Sequence, residues 1–420
     1  MKLRIRFANF SPLILILSLL SPVAGQHPKR NKSARNPHPP PPKVRFISGN
    51  NALKVPFELT GNLILLQARF NESGPLWFIV DTGATDSVID SQLAKALNLK
   101  TVGRTVGTGG AGTATAQIFK GNSLKLPNID ATNLTIYGLP IDFLSAPFGR
   151  KLSGVIGNDI LKQLVFEIDY ASQVINFYEA GSYQYAGAGD IVPITIQGYP
   201  FIRARVAFTG GRVIEGKFEI DSGSTGGITF NTPFVDRNRL LDSLSKSNQT
   251  RLGGVGGSAV VFSGRLKSMS VGGFQLQNLV ARFSRARRGD DASAKYDGLI
   301  GGDILRRFKV VFDYSRLRMI LEPNAQFAEP FEADMSGLDL ATEGEDFSAV
   351  VVNEVENGSP AAEAGIQAED TITGIDGRAA KEFTVSEIRR MFMQDGKEYS
   401  ISLKRGQKEL QTRLKLRRLI

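Results

Sequence analysis

The sequence predicts a mainly β protein, with two similar β-barrel-like lobes followed by a small α/β unit. Three observations predict it. From residue 44 onward, short apolar runs rich in branched and aromatic residues alternate with glycine and asparagine, the pattern of strands and turns. The landmark Gly154-Val-Ile-Gly-Asn-Asp-Ile-Leu161 recurs as Gly298-Leu-Ile-Gly-Gly-Asp-Ile-Leu305, and segments 154–170 and 298–314 run parallel without a gap to a shared Asp-Tyr. That is an internal repeat, and it implies two lobes. Beyond Pro323 the composition shifts, and helix-capping signals appear.

Composition removes several kinds of chemistry. The chain has 420 residues, enough for two or three domains, and 42% of them are hydrophobic. Its net charge of +10 sits mostly in the first 50 residues, which carry nine Lys or Arg and no acid. The rest is near neutral, so no nucleic-acid surface is expected. There are no cysteines, and the only histidines, His27 and His38, precede the first folded strand. Disulfides, thiolate nucleophiles, Cys or His metal sites and a Ser-His-Asp triad are thereby excluded from the body of the chain. No cofactor is expected, and hydrolytic chemistry falls to carboxylates, hydroxyls or lysines.

Residues 1–25 join Lys2, Arg4 and Arg6 to an apolar run over residues 13–20 and a small-residue end at Val23-Ala-Gly25. Those are the parts of a secretory signal peptide, and the run is shorter than the roughly 20 residues of a bilayer span. Cleavage near Gly25 would leave a secreted or periplasmic chain with no integral membrane span. Residues 26–43 are basic and proline-dense, a linker that cannot bury a core. The first lobe is expected over 44–182, with strands at 55–59, 63–70 and 76–80 and a helix over 91–98. A glycine-rich hairpin follows at Val106–Gly112, without the lysine or the helix of a phosphate loop. Its counterpart Gly253–Gly257 falls in the second lobe, expected over 190–325. In the last unit, 335–418, a strand over 349–355 leads to Ser359 as a helix N-cap, Pro360 in the first turn and Gly365 at the end. A second helix over 385–394 opens with Thr384 and Glu387 at capping-box spacing, and strands over 399–404 and 410–416 close the chain.

The chemistry centres on two turns. Trp77-Phe-Ile-Val-Asp-Thr-Gly-Ala84 and Lys217-Phe-Glu-Ile-Asp-Ser-Gly-Ser224 are each an apolar strand ending on an aspartate. Two carboxylates brought to about 3 Å share a proton, because both cannot ionise comfortably. The anion of such a pair can activate water while its protonated partner donates to the oxyanion. Gly83 and Gly223 let the backbone pass close beneath the carboxylates, and the Thr82 and Ser222 hydroxyls can reach the opposite turn.

Asp81-Thr-Gly-Ala and Asp221-Ser-Gly-Ser, each with an apolar-apolar-glycine element at Val155-Ile-Gly157 or Leu299-Ile-Gly301, resemble the aspartic peptidases of the retropepsin and pepsin type over residues 50–323. The resemblance implies that Asp81 and Asp221 form a catalytic dyad braced by Thr82 and Ser222. It also implies substrate-covering flaps, which by position fall at Gly109 and Gly110 and at Gly256 and Gly257. Unlike the single-chain pepsins, this chain has no disulfides and no tyrosine in the first flap; Ala84 is the retropepsin choice and Ser224 the pepsin one. Ser336-Gly-Leu-Asp-Leu340, the 358–366 helix segment and Asp370-Thr-Ile-Thr-Gly-Ile-Asp-Gly377 resemble the PDZ domains of bacterial envelope peptidases. That resemblance implies a peptide added as a strand beside Gly337, Leu338, Asp339 and Leu340, although the Asp339 charge opposes a terminal carboxylate. The expected protein is a monomeric aspartic endopeptidase whose PDZ domain recruits protein or peptide substrate. The alternative is a non-catalytic envelope protein that holds peptides in the lobe cleft and the PDZ groove.

Overall fold

The computed structural model describes residues 17–19 and 42–420. Apart from Leu17–Leu19, a short strand paired with Gly107–Gly109, the expected signal peptide lies outside these residues, as does most of the basic linker. No helix among the described residues is long and apolar enough to cross a membrane.

The first lobe contains β1 (Asn51–Thr60), β2 (Leu63–Phe70), β3 (Pro75–Val80), β4 (Val88–Asp90), α1 (Ser91–Ala96), β5 (Thr101–Gly109), β6 (Gly112–Leu126) and β7 (Ile129–Leu139). It continues through α2 (Ser145–Phe148), β8 (Gly154–Ile156), α3 (Asn158–Leu161), β9 (Leu164–Asp169) and β10 (Val174–Glu179). Strands form where branched and aromatic residues alternate inward, as in β2, whose Leu63, Leu65, Ile64 and Leu66 are all buried on its two faces. Asp90 caps α1 by accepting from Gln92 N (2.9 Å) and Leu93 N (3.0 Å). The helix stops at Ala96, short of the expected Asn98, because Asn98 takes a left-handed φ of 53°.

The second lobe follows with β11 (Asp190–Pro193), β12 (Pro200–Ala207), β13 (Val213–Ile220), β14 (Ile228–Phe230), β15 (Ser247–Gly254), β16 (Gly257–Arg265), β17 (Val280–Ser284), β18 (Gly298–Ile300), β19 (Phe308–Asp313) and β20 (Arg318–Pro323). The lobes share one sheet, in which β1, β10, β9, β19, β20 and β11 lie in that order. Its centre is the antiparallel β9–β19 pair, where Phe166 faces Phe312 and their rings stack at 4.8 Å. One apolar core, including Phe57, Phe166, Phe230 and Phe312, runs through both lobes. The aspartate strands are therefore not free to drift apart.

The C-terminal unit has its own core of Leu340, Val352, Ile372, Ile388, Phe392, Tyr399 and Leu414. Its sheet runs β21 (Leu338–Glu343), β22 (Ala349–Val355), β23 (Thr371–Ile375), β24 (Glu398–Arg405) and β25 (Lys408–Lys415), with a helix, α4 (Val385–Met391), beside it. The Thr384–Glu387 box caps α4, with Thr384 N donating to Glu387 Oε2 at 2.7 Å and Glu387 N to Thr384 Oγ1 at 3.2 Å. The segment leading into this unit is held by Arg307, fully buried, which donates to the carbonyls of Asp303, Gln326, Glu329 and Pro330 and lies 3.5 Å from the Phe331 ring centre. On the second lobe, Arg265 pairs with Glu332 at 2.6 Å and donates to the Phe331 carbonyl at 2.8 Å.

The shared sheet makes a prediction about Phe166. Phe166→Ala removes the stacked ring at the lobe junction and should cost about 3–5 kcal/mol of stability, read as a lowered urea midpoint. A midpoint within error of the parent would mean that the lobes do not depend on this contact.

Candidate active site

Both aspartates are placed in the same way. β3 runs parallel to β8 with Phe78 opposite Gly154 and Val80 opposite Ile156; β13 runs parallel to β18 with Phe218 opposite Gly298 and Ile220 opposite Ile300. Each strand then delivers its aspartate to the partner's last carbonyl: Asp81 N donates to Ile156 O at 3.0 Å, and Asp221 N to Ile300 O at 2.9 Å. β4 and β14 close the other side of β8 and β18 in matching fashion.

Where the two turns meet, Thr82 N donates to Ser222 Oγ and Ser222 N to Thr82 Oγ1, both at 3.0 Å. The hydroxyls pass on their own hydrogens, Thr82 to Ile220 O at 2.7 Å and Ser222 to Val80 O at 2.8 Å. All four donors are buried and satisfied, so this cross-brace locks one turn against the other. Gly83 and Gly223 are required by closeness: a methyl on Gly83 would sit 2.7 Å from Asp221 Oδ1, and one on Gly223 would strike the Asp81 carboxyl.

Asp81 and Asp221 are both fully buried. Asp81 Oδ1 accepts from Gly83 N (2.8 Å) and Ala84 N (3.0 Å), and Asp221 Oδ1 from Gly223 N (2.8 Å). The outer Oδ2 atoms receive no donor from the rest of the described protein, while the two carboxyls lie within hydrogen-bonding reach of one another. Burial raises Asp81 to about 7, against the pull of the Asp221 hydrogen bond and the Gly83 and Ala84 amides. Asp221 is pushed well above the usual carboxylate range by burial and then by the Asp81 charge. Burial and the mutual charge therefore keep a proton on the pair.

Three further contacts escaped sequence reasoning. Asn158 Nδ2 donates to Thr82 O (2.7 Å) and Ala84 O (3.0 Å), and its Oδ1 accepts from the Tyr314 hydroxyl at 3.0 Å, so α3 buttresses the first turn. The matching position in the other copy is Gly302; there Asn62 Nδ2 instead donates to Thr225 O at 2.9 Å. A mismatch between the repeats at 158 and 302 was the available signal. The third is Glu219, which adjoins the pair from β13.

The flap glycines meet each other. β5–β6 and β15–β16 are hairpins, as expected, and their tips touch: a Cβ on Gly109 would strike the Val255 backbone, and one on Gly256 the Gly112–Thr113 backbone. Gly110 O accepts from Asp291 N at 3.1 Å, and Gly257 faces open space. Gly109 and Gly256 thus meet the opposite hairpin across the lobes.

Gly337, Leu338, Asp339 and Leu340 lie in the C-terminal unit, and they are not brought to the aspartates. The loop amide at Leu338 donates to Ser336 Oγ (3.0 Å), and Asp339 is buried, with burial raising its carboxyl to about 7. The groove between β21 and α4 is filled by α2 of the first lobe: Thr342 Oγ1 donates to Ala146 O at 2.9 Å, while Arg389 donates to Pro147 O at 3.0 Å and to Leu340 O at 2.7 Å.

Comparison with known proteins agrees with this division. Residues 66–160 match the family described as aspartyl protease, and residues 328–416 match the PDZ domain family. No curated protein matches the chain. Among solved structures, the chain is similar to an aspartic proteinase from Irpex lacteus, at 12% identity and a TM-score of 0.42, over 66% of this chain and 99% of that one. The chain thus joins an aspartyl-protease-type region to a C-terminal PDZ domain. Asp81 falls inside the first match and Asp221 outside it, so Asp221 joins the site through its repeated turn and the geometry, not through the family match.

A pH prediction follows from α3. Asp159 is buried beside Asn158; burial raises its carboxyl to about 7, the Ser87 hydroxyl at 2.6 Å lowers it, and the Asp86 charge raises it. Unfolded, the group ionises near 3.8. Between those values only the folded state holds the proton, so stability falls as pH rises from about 4 to 7, and this group adds no slope outside that window. Asp159→Asn should flatten the slope of unfolding free energy by up to about 1.4 kcal/mol per pH unit, measured with urea at several pH values. An unchanged slope would mean that Asp159 is already ionised in the fold.

Proposed function

We propose that this protein is an aspartic endopeptidase in which Asp81 and Asp221 activate water for attack on a peptide bond, and in which the PDZ domain presents protein or peptide substrate. The observation that carries the reading is the pair itself: two buried carboxyls within hydrogen-bonding reach, each with its inner oxygen held by backbone amides and its outer oxygen free of other donors.

In that mechanism Asp81 is the base and Asp221 the acid. Water held between the outer oxygens loses a proton to Asp81 as its oxygen bonds to the amide carbon, and Asp221 donates to the developing oxyanion. Collapse of the tetrahedral adduct breaks the C–N bond, the proton on Asp81 going to the leaving amine while one hydroxyl of the adduct returns its proton to Asp221 as the C=O re-forms, which restores the singly protonated pair. The hairpin tips must part for a chain to enter and can then close over it, excluding water. The basic and apolar leader supports a setting outside the cytoplasm.

The PDZ reading includes a competition. A peptide entering the groove between β21 and α4 displaces Ser145–Phe148, so recruitment loosens a segment of the first lobe.

The decisive experiment is turnover of an unfolded protein substrate by the full chain and by Asp81→Asn and Asp221→Asn. Each substitution should reduce kcat at least ~10³-fold, the scale of losing a catalytic proton-transfer group. Equal turnover in all three would remove the dyad and favour a protein that only holds peptides. The parent's kcat should trace a bell against pH. It falls on acidification as Asp81 takes up a proton, with that limb at or below 7, and it falls again at high pH as Asp221 gives up its own. For the groove, Thr342→Val keeps the side-chain shape but loses the bond to Ala146 O. It should tighten capture of an unfolded protein about two- to tenfold, the worth of one hydrogen bond, with kcat/KM on a short peptide unmoved. Identical effects on both substrates would leave the PDZ domain a structural role.

A further inference from the structure

Glu219 sits on β13, two residues before Asp221. A methyl placed on Gly83 would be 2.7 Å from both Glu219 Oε1 and Asp221 Oδ1, so the two carboxyls converge on one point of the first turn. Glu219 is fully buried, and no donor among the described residues reaches either of its oxygens in bonding geometry. Burial first, and then the Asp221, Asp290 and Asp81 charges, push its carboxyl well above the usual carboxylate range, while the Tyr296 hydroxyl, which leans toward it, pulls the other way. Lys217, on the same strand, is spent elsewhere, with Nζ on Gln197 Oε1 at 2.8 Å and over the Phe201 ring at 4.1 Å. In the first copy the corresponding residue is Ile79, also buried.

A buried carboxyl with no well-placed donor is unfavourable relative to an apolar side chain, and the first lobe fills the same position with isoleucine. The carboxyl is therefore suited to a partner that arrives from outside. Beside it, Tyr199, Phe201 and Tyr296 form an aromatic cluster with ring centres 5.2 to 6.1 Å apart. Such rings take an aliphatic stem on their faces and favour a cation at its end. The single charge kept by the Asp81–Asp221 pair, together with Asp290, adds a negative field that attracts a cation and rejects an anion.

We propose that Glu219 sets cleavage specificity, receiving the ammonium or guanidinium of a substrate lysine or arginine that flanks the scissile bond on the second lobe's side. This rests on the dyad reading above. Glu219 binds the substrate and takes no part in the proton transfers.

The test is a peptide series identical except at the residues flanking the scissile bond, carrying lysine, arginine, norleucine or glutamate, given to the full chain and to Glu219→Gln and Glu219→Leu. The parent should prefer lysine or arginine over norleucine by about tenfold or more in kcat/KM and should reject glutamate. Both variants should bring the lysine-to-norleucine ratio near one, whatever the absolute rates; the isosteric Gln variant guards against misfolding by the Leu variant. A parent with no cationic preference, or a preference that survives Glu219→Gln, overturns the proposal. A second arm measures binding of non-cleavable reduced-amide peptides with lysine or norleucine to Asp81→Asn, with and without Glu219→Gln. If no peptide is ever cleaved, the dyad reading fails by itself, while this arm still shows whether Glu219 selects the cation.

Discussion

Everything in the candidate site depends on the crossed hydrogen bonds between Thr82 and Ser222. Two carboxyls out of water repel if both ionise, and among the described residues no cation offsets their charge. They can be held within hydrogen-bonding reach only if the turns carrying them are fixed to each other more firmly than the carboxyls push apart. The two N–H to hydroxyl bonds, with the two hydroxyl to carbonyl bonds behind them, supply that fixing at the point of contact. Such bonds tolerate errors of only tenths of an ångström. The rest of the fold supplies that precision: β9 and β19 make one sheet of the two lobes, and a single apolar core fills both.

The lobes repeat a turn but not its surroundings. Asn158 and the Tyr314 hydroxyl support the Asp81 turn from below, where the Asp221 turn has Gly302. Ile79 flanks Asp81 where Glu219 flanks Asp221. Asp159 is buried against Ser87, while its counterpart Asp303 bonds Arg306 at 3.0 Å. An exactly symmetric pair would have no reason to seat its proton on one side. Here Asp291 is among the charges that raise Asp221 and Glu219 lies beside it, so the two carboxyls are not equivalent.

The C-terminal domain is tied into this arrangement. α2 lies in the groove of the PDZ domain, while on its other side Leu144 and Phe148 belong to the apolar cluster that also contains Val255 at the tip of the second hairpin. A peptide in the groove and an opening of the tips thus act on the same short segment of chain. Such a segment can carry coupling between sites when it has two arrangements, one docked and one displaced.

The local chemistry was legible in the sequence because turns, caps and strands are written in neighbouring residues. The Asp-Thr-Gly and Asp-Ser-Gly turns, the Thr384–Glu387 box, the Ser359 cap and the glycine hairpins all stand where residue type and spacing put them. What spans long separations was not legible. Tip-to-tip contact of Gly109 with Val255, the seating of Ser145–Phe148 against Thr342 and Arg389, and the convergence of Glu219 on Gly83 join residues far apart in the chain. No local propensity encodes those meetings. The sequence alone determined that two aspartates end matching strands. Only the tertiary structure decided that they meet, because burial and the cross-brace exist only once the two lobes have packed into one sheet.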